Sequence, residues 1–441
     1  MKIAHVMRRL SFDDWGGTEQ VVWNLAKAQK AAGHDVRIFA TTALWIGLAA
    51  KNAESAKDSL CPLRSMRLKK AYSETVEGIE ILRFKPIYPW WPMPKSLVAE
   101  LDRKGGNPFV PGLGKALCDW RPDVIHCHAM ARIAELCLRI GERGTGNGER
   151  GTGNGKRVKR VISLHGGGAN IPDAEAKSLK APTRGRLPWG KMIDYLLGWT
   201  RHVPEDFDGI VCVGEDEYEK YKARHPHVVY LPNGVDTRLF ENEKCKMENG
   251  ECKKGEAFIL HSPFSILCVA RIDRQKNQKM LVELLARHPE ATLRLVGPVT
   301  QPDYREELEA RAAELGVQNR LTIVGALKPG SKELIAEYRR ADVFILPSRH
   351  EPFGIVVLEA WAAGLPVIAS DIGGLGRLCA AHPGAAVTFA PDDIDALDAA
   401  YVRLARSPEF RQALAAAGRE AAKEYDWRRL SQKLIGLYDA I

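Results

Sequence analysis

The sequence predicts an α/β protein with two doubly wound parallel sheets, each in its own Rossmann-like domain. Apolar strand-like segments alternate with helix-like segments through most of the 441 residues, a pattern typical of parallel sheets covered by helices on both faces. The alternation comes in two successive runs, and the length fits two domains of about 200 residues. A composition of 45% hydrophobic and 27% charged residues is that of a globular chain.

The first run predicts a domain over residues 1–225. It opens with a strand at 2–7 and an amphipathic helix at 18–32, which Gly33 ends. Between residues 141 and 154 the segment GERGTGN occurs twice, and its six glycines indicate a surface loop. The other strands predicted in this half of the chain lie at 35–40, 123–127, 161–164, 209–213 and 228–231.

The second run is more regular and predicts a domain over residues 226–425. After it, residues 426–441 form an amphipathic helix with Trp427, Leu430 and Leu434 on its apolar side. The strands predicted in this half lie at 266–270, 292–296, 321–324, 342–346, 366–369 and 386–389.

Cysteine usage and hydropathy predict a cytoplasmic location. The nine cysteines are odd in number and include no CxxC pair, so a disulfide framework is not expected. The longest apolar run, near residues 43–50, is far shorter than the ~18 residues that span a bilayer. The first residues also lack the apolar stretch of a secretory signal.

Charge is divided unevenly along the chain. Through Arg224 there are 36 basic and 26 acidic residues, a net charge of +10, whereas the remainder has 28 and 29, a net charge of −1. A basic half suits an anionic partner such as a membrane surface, but it also fits an ordinary solvated surface. Residues 86–94 add two tryptophans and a tyrosine among prolines, a loop suited to a membrane interface, a sugar or a packed edge.

Reactive and glycine-rich residues follow the predicted strands, at the edge where open parallel sheets bind ligands. In the first half, Gly16 and Gly17 precede a helix whose free N–H groups favour an anion, and His128 follows a strand. In the second half, Arg271 and Lys276 follow a strand, and as cations they suit a diphosphate. Each feature alone also fits an ordinary turn or loop. Together they lead us to expect two facing edges that form a ligand cleft.

The segment from Glu351 to Ala360 carries the strongest site signal. Gly354 lets the backbone approach a ligand, and the helix that begins near Ile355 offers its N–H groups to phosphate. Glu359 lies one turn further along this otherwise apolar helix, where a carboxylate is costly unless it is bonded. Ribose hydroxyls would bond it, and so would a buried salt-bridge partner. Glu351, on the preceding loop, could reach another part of the ligand.

Four motifs follow one another along the chain: Gly16-Gly17-Thr18-Glu19 with Gly33-His34-Asp35-Val36, Leu231-Pro232-Asn233-Gly234-Val235-Asp236, Arg271 with Lys276, and the Glu-x7-Glu block from Glu351 to Glu359. In this order they resemble glycosyltransferase family 4, the retaining group 1 enzymes of glycogen-synthase and mannosyltransferase type. The resemblance implies the GT-B fold, in which two Rossmann-like domains face each other across a cleft and the final helix, 426–441, packs back on the N-terminal domain. One departure is Arg377 in Leu375-Gly376-Arg377, where the family often has a glutamate.

The resemblance implies transfer of a hexose from a nucleotide-diphosphate-sugar to a hydroxyl of a saccharide or lipid-linked glycan, such as a cell-envelope polysaccharide or lipopolysaccharide. Arg271 and Lys276 would stabilise the leaving diphosphate, so no metal and no cofactor would be required. Glu359 would hold the ribose and Glu351 the sugar hydroxyls, with His128 near the reacting carbon. The remaining donor contacts implied are Gly16, Gly17 and the backbone of Phe353, Gly354, Ile355 and Val356.

Other classes fit the sequence less well. His126, Cys127, His128 and His165 could hold zinc, which wants three or four ligands. A dinucleotide enzyme would show GxGxxG between a strand and a helix, and no predicted strand is followed by it. The basic residues are dispersed, without the interleaved aromatic side chains of nucleic-acid binders. The main alternative is a glycosyltransferase-like module that has lost activity and binds or regulates a partner, against which the intact motif residues argue.

Overall fold

The chain folds into two compact units, Met1–Pro232 with Leu430–Ile441, and Asn233–Arg429. A computed structural model describes residues 1–12, 17–43, 72–88, 97–98, 101, 107–140, 157–165, 192, 194–195, 204–241 and 264–441. The first unit extends past residue 225 because the strand Val228–Tyr230 pairs with Gly209–Cys212 in its sheet. None of the helices in this described part has the length and apolar character needed to cross a bilayer.

The first unit is built on an eight-stranded sheet of order β3-β4-β2-β1-β5-β6-β7-β8. Its strands are β1 Lys2–Val6, β2 Asp35–Thr41, β3 Tyr72–Val76, β4 Ile79–Phe84, β5 Val124–Cys127, β6 Lys159–Leu164, β7 Gly209–Cys212 and β8 Val228–Tyr230. Its helices include α1 Gly17–Ala31, α2 Leu113–Trp120, α3 Arg132–Arg139 and α4 Glu215–Lys222. From β1 the chain adds strands toward one side of the sheet, and from β5 it adds them toward the other side. Ligands are expected at the carboxyl ends of β1 and β5, where this switch occurs.

A hairpin at one edge of this sheet corrects the prediction of a purely parallel sheet. Strands β3 and β4 are antiparallel, while β4 runs parallel to β2. The turn between them is Glu77-Gly78, and both residues have positive φ values, 46° and 75°, as a two-residue hairpin turn requires. Neither strand of this hairpin was predicted from the sequence. The residues of β3 alternate between partly buried and exposed, so β3 has no core-facing apolar pattern, whereas β4 does have a buried face.

The second unit is built on a six-stranded, wholly parallel sheet of order β11-β10-β9-β12-β13-β14. In this doubly wound order, strands are added on one side of β9 and then, from β12, on the other side. The parallel sheet with helices between its strands confirms the predicted α/β class. The strands are β9 Phe264–Val269, β10 Ala291–Val296, β11 Leu321–Gly325, β12 Val343–Leu346, β13 Val367–Ser370 and β14 Ala386–Phe389. The helices are α5 Arg238–Glu241, α6 Lys279–Arg287, α7 Pro302–Glu314, α8 Lys332–Arg340, α9 Ile355–Ala363, α10 Gly373–Ala381, α11 Ile394–Arg406 and α12 Pro408–Glu424.

The last helix, α13, runs from Trp427 to Ala440, and its residues from Leu430 onward belong to the first unit. Leu434 and Tyr438 are completely buried. A Cβ atom placed on Gly209 in β7 would lie 3.4 Å from the Leu437 side chain, so the helix packs closely against this strand. The apolar face predicted from the sequence is therefore the face that is covered.

Candidate active site

The second unit brings Lys276 and Glu351 together at the carboxyl ends of two neighbouring strands. β9 pairs with β12, and the loops that follow these strands carry the two residues. The Lys276 Nζ lies 2.6 Å from Glu351 Oε2 and donates a second hydrogen bond to the His350 carbonyl oxygen at 3.2 Å. This ion pair stands at the point of the sheet where doubly wound folds bind their ligands.

A capped turn fixes the segment that carries Arg271 and Lys276. The Asp273 Oδ1 accepts hydrogen bonds from the amides of Gln275 and Lys276, at 3.0 and 3.2 Å, and so begins the 3₁₀ turn Arg274–Lys276. The Gln278 side chain donates to the Arg271 carbonyl oxygen at 2.7 Å. The Arg271 guanidinium lies 3.2 Å from Asp273, yet half of its side chain remains exposed. Its backbone is thus held while its charged end can reach a ligand.

The loop before α9 ends at a glycine whose backbone has a left-handed conformation. Gly354 has a φ of 94°, and a Cβ at this position would lie 2.8 Å from Leu375 Cδ1. Among the described residues, no side chain caps the helix that Ile355 and Val356 begin. Their N–H groups, just after Phe353 and Gly354, therefore form a helix N-terminus able to receive an anion.

Glu359 lies inside α9 and is held by a hydroxyl rather than by a cation. The buried Tyr338 of α8 donates its O–H to Glu359 Oε2 at 2.7 Å. Burial raises the pKa of the Glu359 carboxyl above its ordinary value, and the Tyr338 hydrogen bond opposes this shift. Within the described part of the chain, this hydrogen bond uses one carboxylate oxygen, and the second oxygen can accept a hydrogen bond from a ligand hydroxyl.

In the first unit, a cavity of about 440 Å³ contains His128 and the N-terminus of α1. Arg9 and Glu19 form a 2.6 Å ion pair on its wall. Gly17 begins the helix and lines the cavity, while Gly16 lies outside the described residues. His128 follows β5, as predicted, and lines the same cavity. The polar residues of the lining are Arg8, Arg9, Thr18, Glu19, Asn107 and His128.

Four histidines of the first unit, His5, His126, His128 and His165, belong to a hydrogen-bonded network in its interior. The His5 Nδ1 lies 2.9 Å from His128 Nε2, and the His128 Nδ1 lies 3.1 Å from His165 Nε2. Burial lowers the pKa of His5 and of His165 to about 4. Burial, and then the neighbouring histidines, lower the pKa values of His126 and His128 well below their ordinary range. These imidazoles are therefore neutral at neutral pH.

The same cluster bears on the zinc alternative. Ligand atoms of His5, His126 and His128 all lie within 4.8 Å of one another. Each ring nitrogen already has a protein partner, however. The partners of His126 are the Tyr438 hydroxyl at 2.6 Å and Ser163 Oγ at 2.7 Å. Neutral imidazoles joined by hydrogen bonds thus account for the arrangement fully.

Sequence reasoning missed the residues that hold these groups. Tyr338 and Tyr438 occupy apolar helical positions, and nothing in a 3.6-residue period shows which buried tyrosine bonds a carboxylate or an imidazole. His5 did carry a signal, because it is a polar side chain inside the apolar strand β1, where an unbonded imidazole would be costly. Its partner Gln29 lies on the buried side of α1.

Known proteins match the chain along most of its length. Residues 15–239 match the model of Glycosyltransferase Family 4, and residues 253–421 match that of Glycosyl transferases group 1. Glycogen synthase from Mycobacterium tuberculosis is 35% identical over 436 residues, covering 96% of this chain and 91% of that protein. The GDP-mannose-dependent alpha-(1-6)-phosphatidylinositol monomannoside mannosyltransferase of Mycolicibacterium smegmatis is 29% identical over 317 residues, covering 64% and 80%.

A solved structure has the same overall fold as this chain. HepE from Anabaena, in complex with UDP, aligns with a TM-score of 0.63 and 16% identity over 100% of both chains. Two doubly wound α/β units of this kind are the GT-B fold. The chain belongs to glycosyltransferase family 4 and is a glycosyltransferase of the group 1 type, which confirms the family predicted from the ordered motifs.

Proposed function

We propose that this glycosyltransferase moves a hexose from a nucleotide-diphosphate-sugar to a hydroxyl of a saccharide or lipid-linked glycan, with retention of anomeric configuration. The observation that carries the proposal is the placement of Arg271, Lys276 and Glu351 beside the N-terminus of α9 at the reversal point of the second sheet. The relatives named for glycogen synthesis and for GDP-mannose-dependent transfer support a donor of this class, as does the UDP complex of the structural neighbour.

Arg271 and Lys276 are assigned to the diphosphate. The exposed end of Arg271 and the nearly buried ammonium of Lys276 supply two positive charges where negative charge grows as the sugar–phosphate bond breaks. Preorganised cations of this kind stabilise a departing anion without reorganising. The N–H groups at the start of α9 add a partial positive charge toward the phosphate nearest the sugar.

The two carboxylates are assigned to hydroxyls. Glu351 uses one oxygen for Lys276, which leaves the other for the hydroxyls of the transferred sugar. Glu359, already bonded by Tyr338 at one oxygen, accepts from the ribose hydroxyls at the other. For the first unit, we assign a hydroxyl-bearing part of the substrate to the cavity that His128 lines.

Retention requires no enzyme nucleophile in this scheme. The acceptor oxygen bonds to the anomeric carbon on the face from which the diphosphate oxygen leaves. The acceptor proton passes to that departing oxygen, so charge and atoms balance. Because Arg271 and Lys276 stabilise the diphosphate, we expect transfer to proceed without a metal or cofactor, and full activity in a chelator would support that expectation.

The charge of the first half of the chain bears on which acceptor the enzyme uses and where in the cell it acts. We propose that its net charge of +10 lets a cytoplasmic enzyme dock on an anionic membrane that holds a lipid-linked acceptor. Tyr88 is buried, which fits the packed-edge alternative for this side chain, and residues 89–94 lie outside the described residues. Pelleting with anionic liposomes should fall steeply as salt is raised, and salt-independent or absent pelleting would reject docking.

Replacement of Arg271 by alanine tests the proposed chemistry. We expect Arg271→Ala to lower kcat by about 10²–10³, the usual loss when a preorganised anion-stabilising group is removed. The matched control is Arg274→Ala in the same turn, since Arg274 instead pairs with Asp303 and Glu307 of α7. Exposed ion pairs of this kind contribute little, so the control should keep nearly full turnover.

The reaction is followed as release of nucleoside diphosphate and formation of product from a nucleotide-sugar. Near-normal turnover by Arg271→Ala would reject its role. If the wild type instead binds the donor tightly but neither transfers the sugar to any acceptor nor hydrolyses the donor, the inactive binding or regulatory module is favoured.

A further inference from the structure

Arg132 joins three segments of the first unit beside the cavity of about 440 Å³. Its guanidinium makes a bidentate ion pair with Asp194, with Nε–Oδ1 and Nη2–Oδ2 distances of 2.7 and 2.5 Å. The third nitrogen, Nη1, donates to the Asn107 carbonyl oxygen at 2.6 Å. The same guanidinium lies 4.5 Å from the centre of the Phe109 ring. Because the Arg132 side chain is nearly buried, these contacts hold the segment from Asn107 to Phe109 against the start of α3.

The orientation of the Asn107 amide follows from its contact with α3. The backbone N–H of Arg132, the first of this helix, lies 3.1 Å from Asn107 Oδ1. An N–H group can only donate, so the amide oxygen faces the helix and the amide nitrogen faces away from it. Asn107 is exposed and lines the cavity, and in the described part of the chain its Nδ2 has no hydrogen-bond partner. The two N–H groups of Nδ2 are therefore the end of this side chain that a ligand in the cavity can meet.

The residue before Arg132 has a strained backbone. Ala131 has a φ of 58° and a ψ of −127°, a conformation that residues with a Cβ atom rarely adopt. Ala131 also lines the cavity, next to Met130. Strain of this kind persists only where the surrounding structure holds it, and it is concentrated at binding sites. The hydrogen bonds between Arg132 and Asn107, one residue along the chain, supply such a hold.

We propose that Asn107 is a substrate-binding residue of the first unit, held by Arg132 so that Nδ2 donates a hydrogen bond to an oxygen of the acceptor substrate. The proposal rests on the proposed function in placing a substrate in this cavity, and it deepens that function by naming a group that meets the acceptor. An amide that is already held in place binds without losing rotamer freedom. Arg132 is a positioning residue, because it does not line the cavity itself.

Asn107→Ala tests the contact in the full-length protein, with maltotetraose and inositol phosphate as acceptor probes. We expect the KM for the acceptor to rise up to about tenfold, the equivalent of one hydrogen bond. The effect should lie in this KM rather than in kcat, because the contact is made before and during transfer. The KM for the donor should not follow, since the residues assigned to the diphosphate lie in the other unit. An unchanged acceptor KM would overturn the contact.

Asn107→Asp shows which kind of oxygen the amide meets. This replacement keeps an oxygen for the Arg132 N–H but turns the donor end into an acceptor. A sugar hydroxyl can reverse its hydrogen bond and donate to the new carboxylate, so the KM would then rise less than in Asn107→Ala. A phosphoryl oxygen has no proton to donate and is repelled, so the KM would then rise more than in Asn107→Ala.

Ala131→Gly separates the direct contact from the positioning role. Arg132→Met removes the ion pair and the bond to the Asn107 carbonyl, so the acceptor KM should rise. Adding Ala131→Gly should recover part of that loss, because glycine adopts a positive φ without strain. It should not recover Asn107→Ala, which lacks the donor itself, and such a recovery would overturn the contact. If Arg132→Met fails to fold, Asp194→Asn takes its place.

Failure of this contact can be told apart from failure of the proposed function. Transfer by the wild type, with wild-type acceptor KM in Asn107→Ala, overturns the contact alone. A wild type that binds a nucleotide-sugar but transfers to neither probe overturns the proposed function for these acceptors, and the contact with it. Thermal unfolding still tests the positioning role in that case. Arg132→Met should lower the Tm and Ala131→Gly should restore part of it, whereas no restoration would overturn that role.

Discussion

Glu359 shows how a single residue can be both costly and useful. A carboxylate in an apolar helix loses hydration, and burial raises its pKa. The Tyr338 hydroxyl offsets part of that cost with one hydrogen bond at 2.7 Å and leaves the other oxygen for a ligand. The pKa of Tyr338 is itself raised well above its ordinary value, by burial and by Glu359, so this hydroxyl stays protonated and keeps donating.

Removal of that hydroxyl should change the pH dependence of donor binding. In the role proposed for Glu359, its ionised form accepts hydrogen bonds from the ribose hydroxyls, so donor affinity should be lost as the pH falls through its pKa. Tyr338→Phe removes the bond that lowers the pKa, so the pKa rises further and affinity should be lost at a higher pH than in the wild type. At neutral pH we expect a loss of about tenfold or less, since one hydrogen bond contributes about 0.5–1.5 kcal/mol.

Titration with nucleoside diphosphate across a pH series measures this change. Tyr401→Phe is the matched control, because Tyr401 is buried in the same unit and its hydroxyl has no hydrogen-bond partner among the described residues. The control should bind as the wild type does at every pH. Coincident pH curves for Tyr338→Phe and wild type would separate Glu359 from donor binding.

Among the elements, α9 is the one whose start matters most. Its N-terminus lies at the reversal point of the sheet, and Gly354 lets the chain enter it with a φ of 94°. A side chain at this position is disfavoured by the backbone and would also press on Leu375. The position of the first N–H groups of the helix therefore depends on a residue without a Cβ atom.

Gly354→Ala should weaken donor binding as well as stability. We expect a loss of about 1–2 kcal/mol in the free energy of unfolding from the left-handed φ, measured by denaturant titration. Gly384→Ala is a matched control, because Gly384 has a φ of 83° with open space around it. It precedes β14, so it lies at the amino end of a strand, whereas α9 follows the carboxyl end of β12. It should lose comparable stability and keep donor affinity. Equal donor affinity in Gly354→Ala would show that this turn does not hold the donor.

The elements also show what the sequence could and could not predict. The parallel strands of the second unit were found because continuous apolar runs such as β12 are buried at every residue. Strand β3 was missed because an edge strand needs no apolar face. Lys276 and Glu351 were each found from their place after a strand, whereas their 2.6 Å contact depends on strand order, which local periodicity does not contain.

In the whole molecule, the proposed chemistry is divided between two units that have different sheets and whose sequences differ in net charge. The second unit carries the residues assigned to the nucleotide, and the first carries a polar cavity above a neutral histidine network. The ordered motifs predicted the family before any comparison, because each motif stands after a strand and the motifs resemble the family in their order along the chain. The donor base, the sugar and the acceptor leave no comparable pattern in the sequence.

The central claim is that the second unit holds a nucleotide-diphosphate-sugar through Arg271. The most direct test is a thermal-shift panel without metal, with UDP-, GDP- and ADP-sugars and their bare diphosphates, on wild type, Arg271→Ala and Arg274→Ala. A ligand at 100 times its Kd stabilises by about 2.7 kcal/mol. We predict a selective rise in Tm with the ligands of one base, and this rise should be retained in Arg274→Ala and reduced in Arg271→Ala. An equal rise in all three proteins, or none with any ligand on the folded wild type, would contradict it.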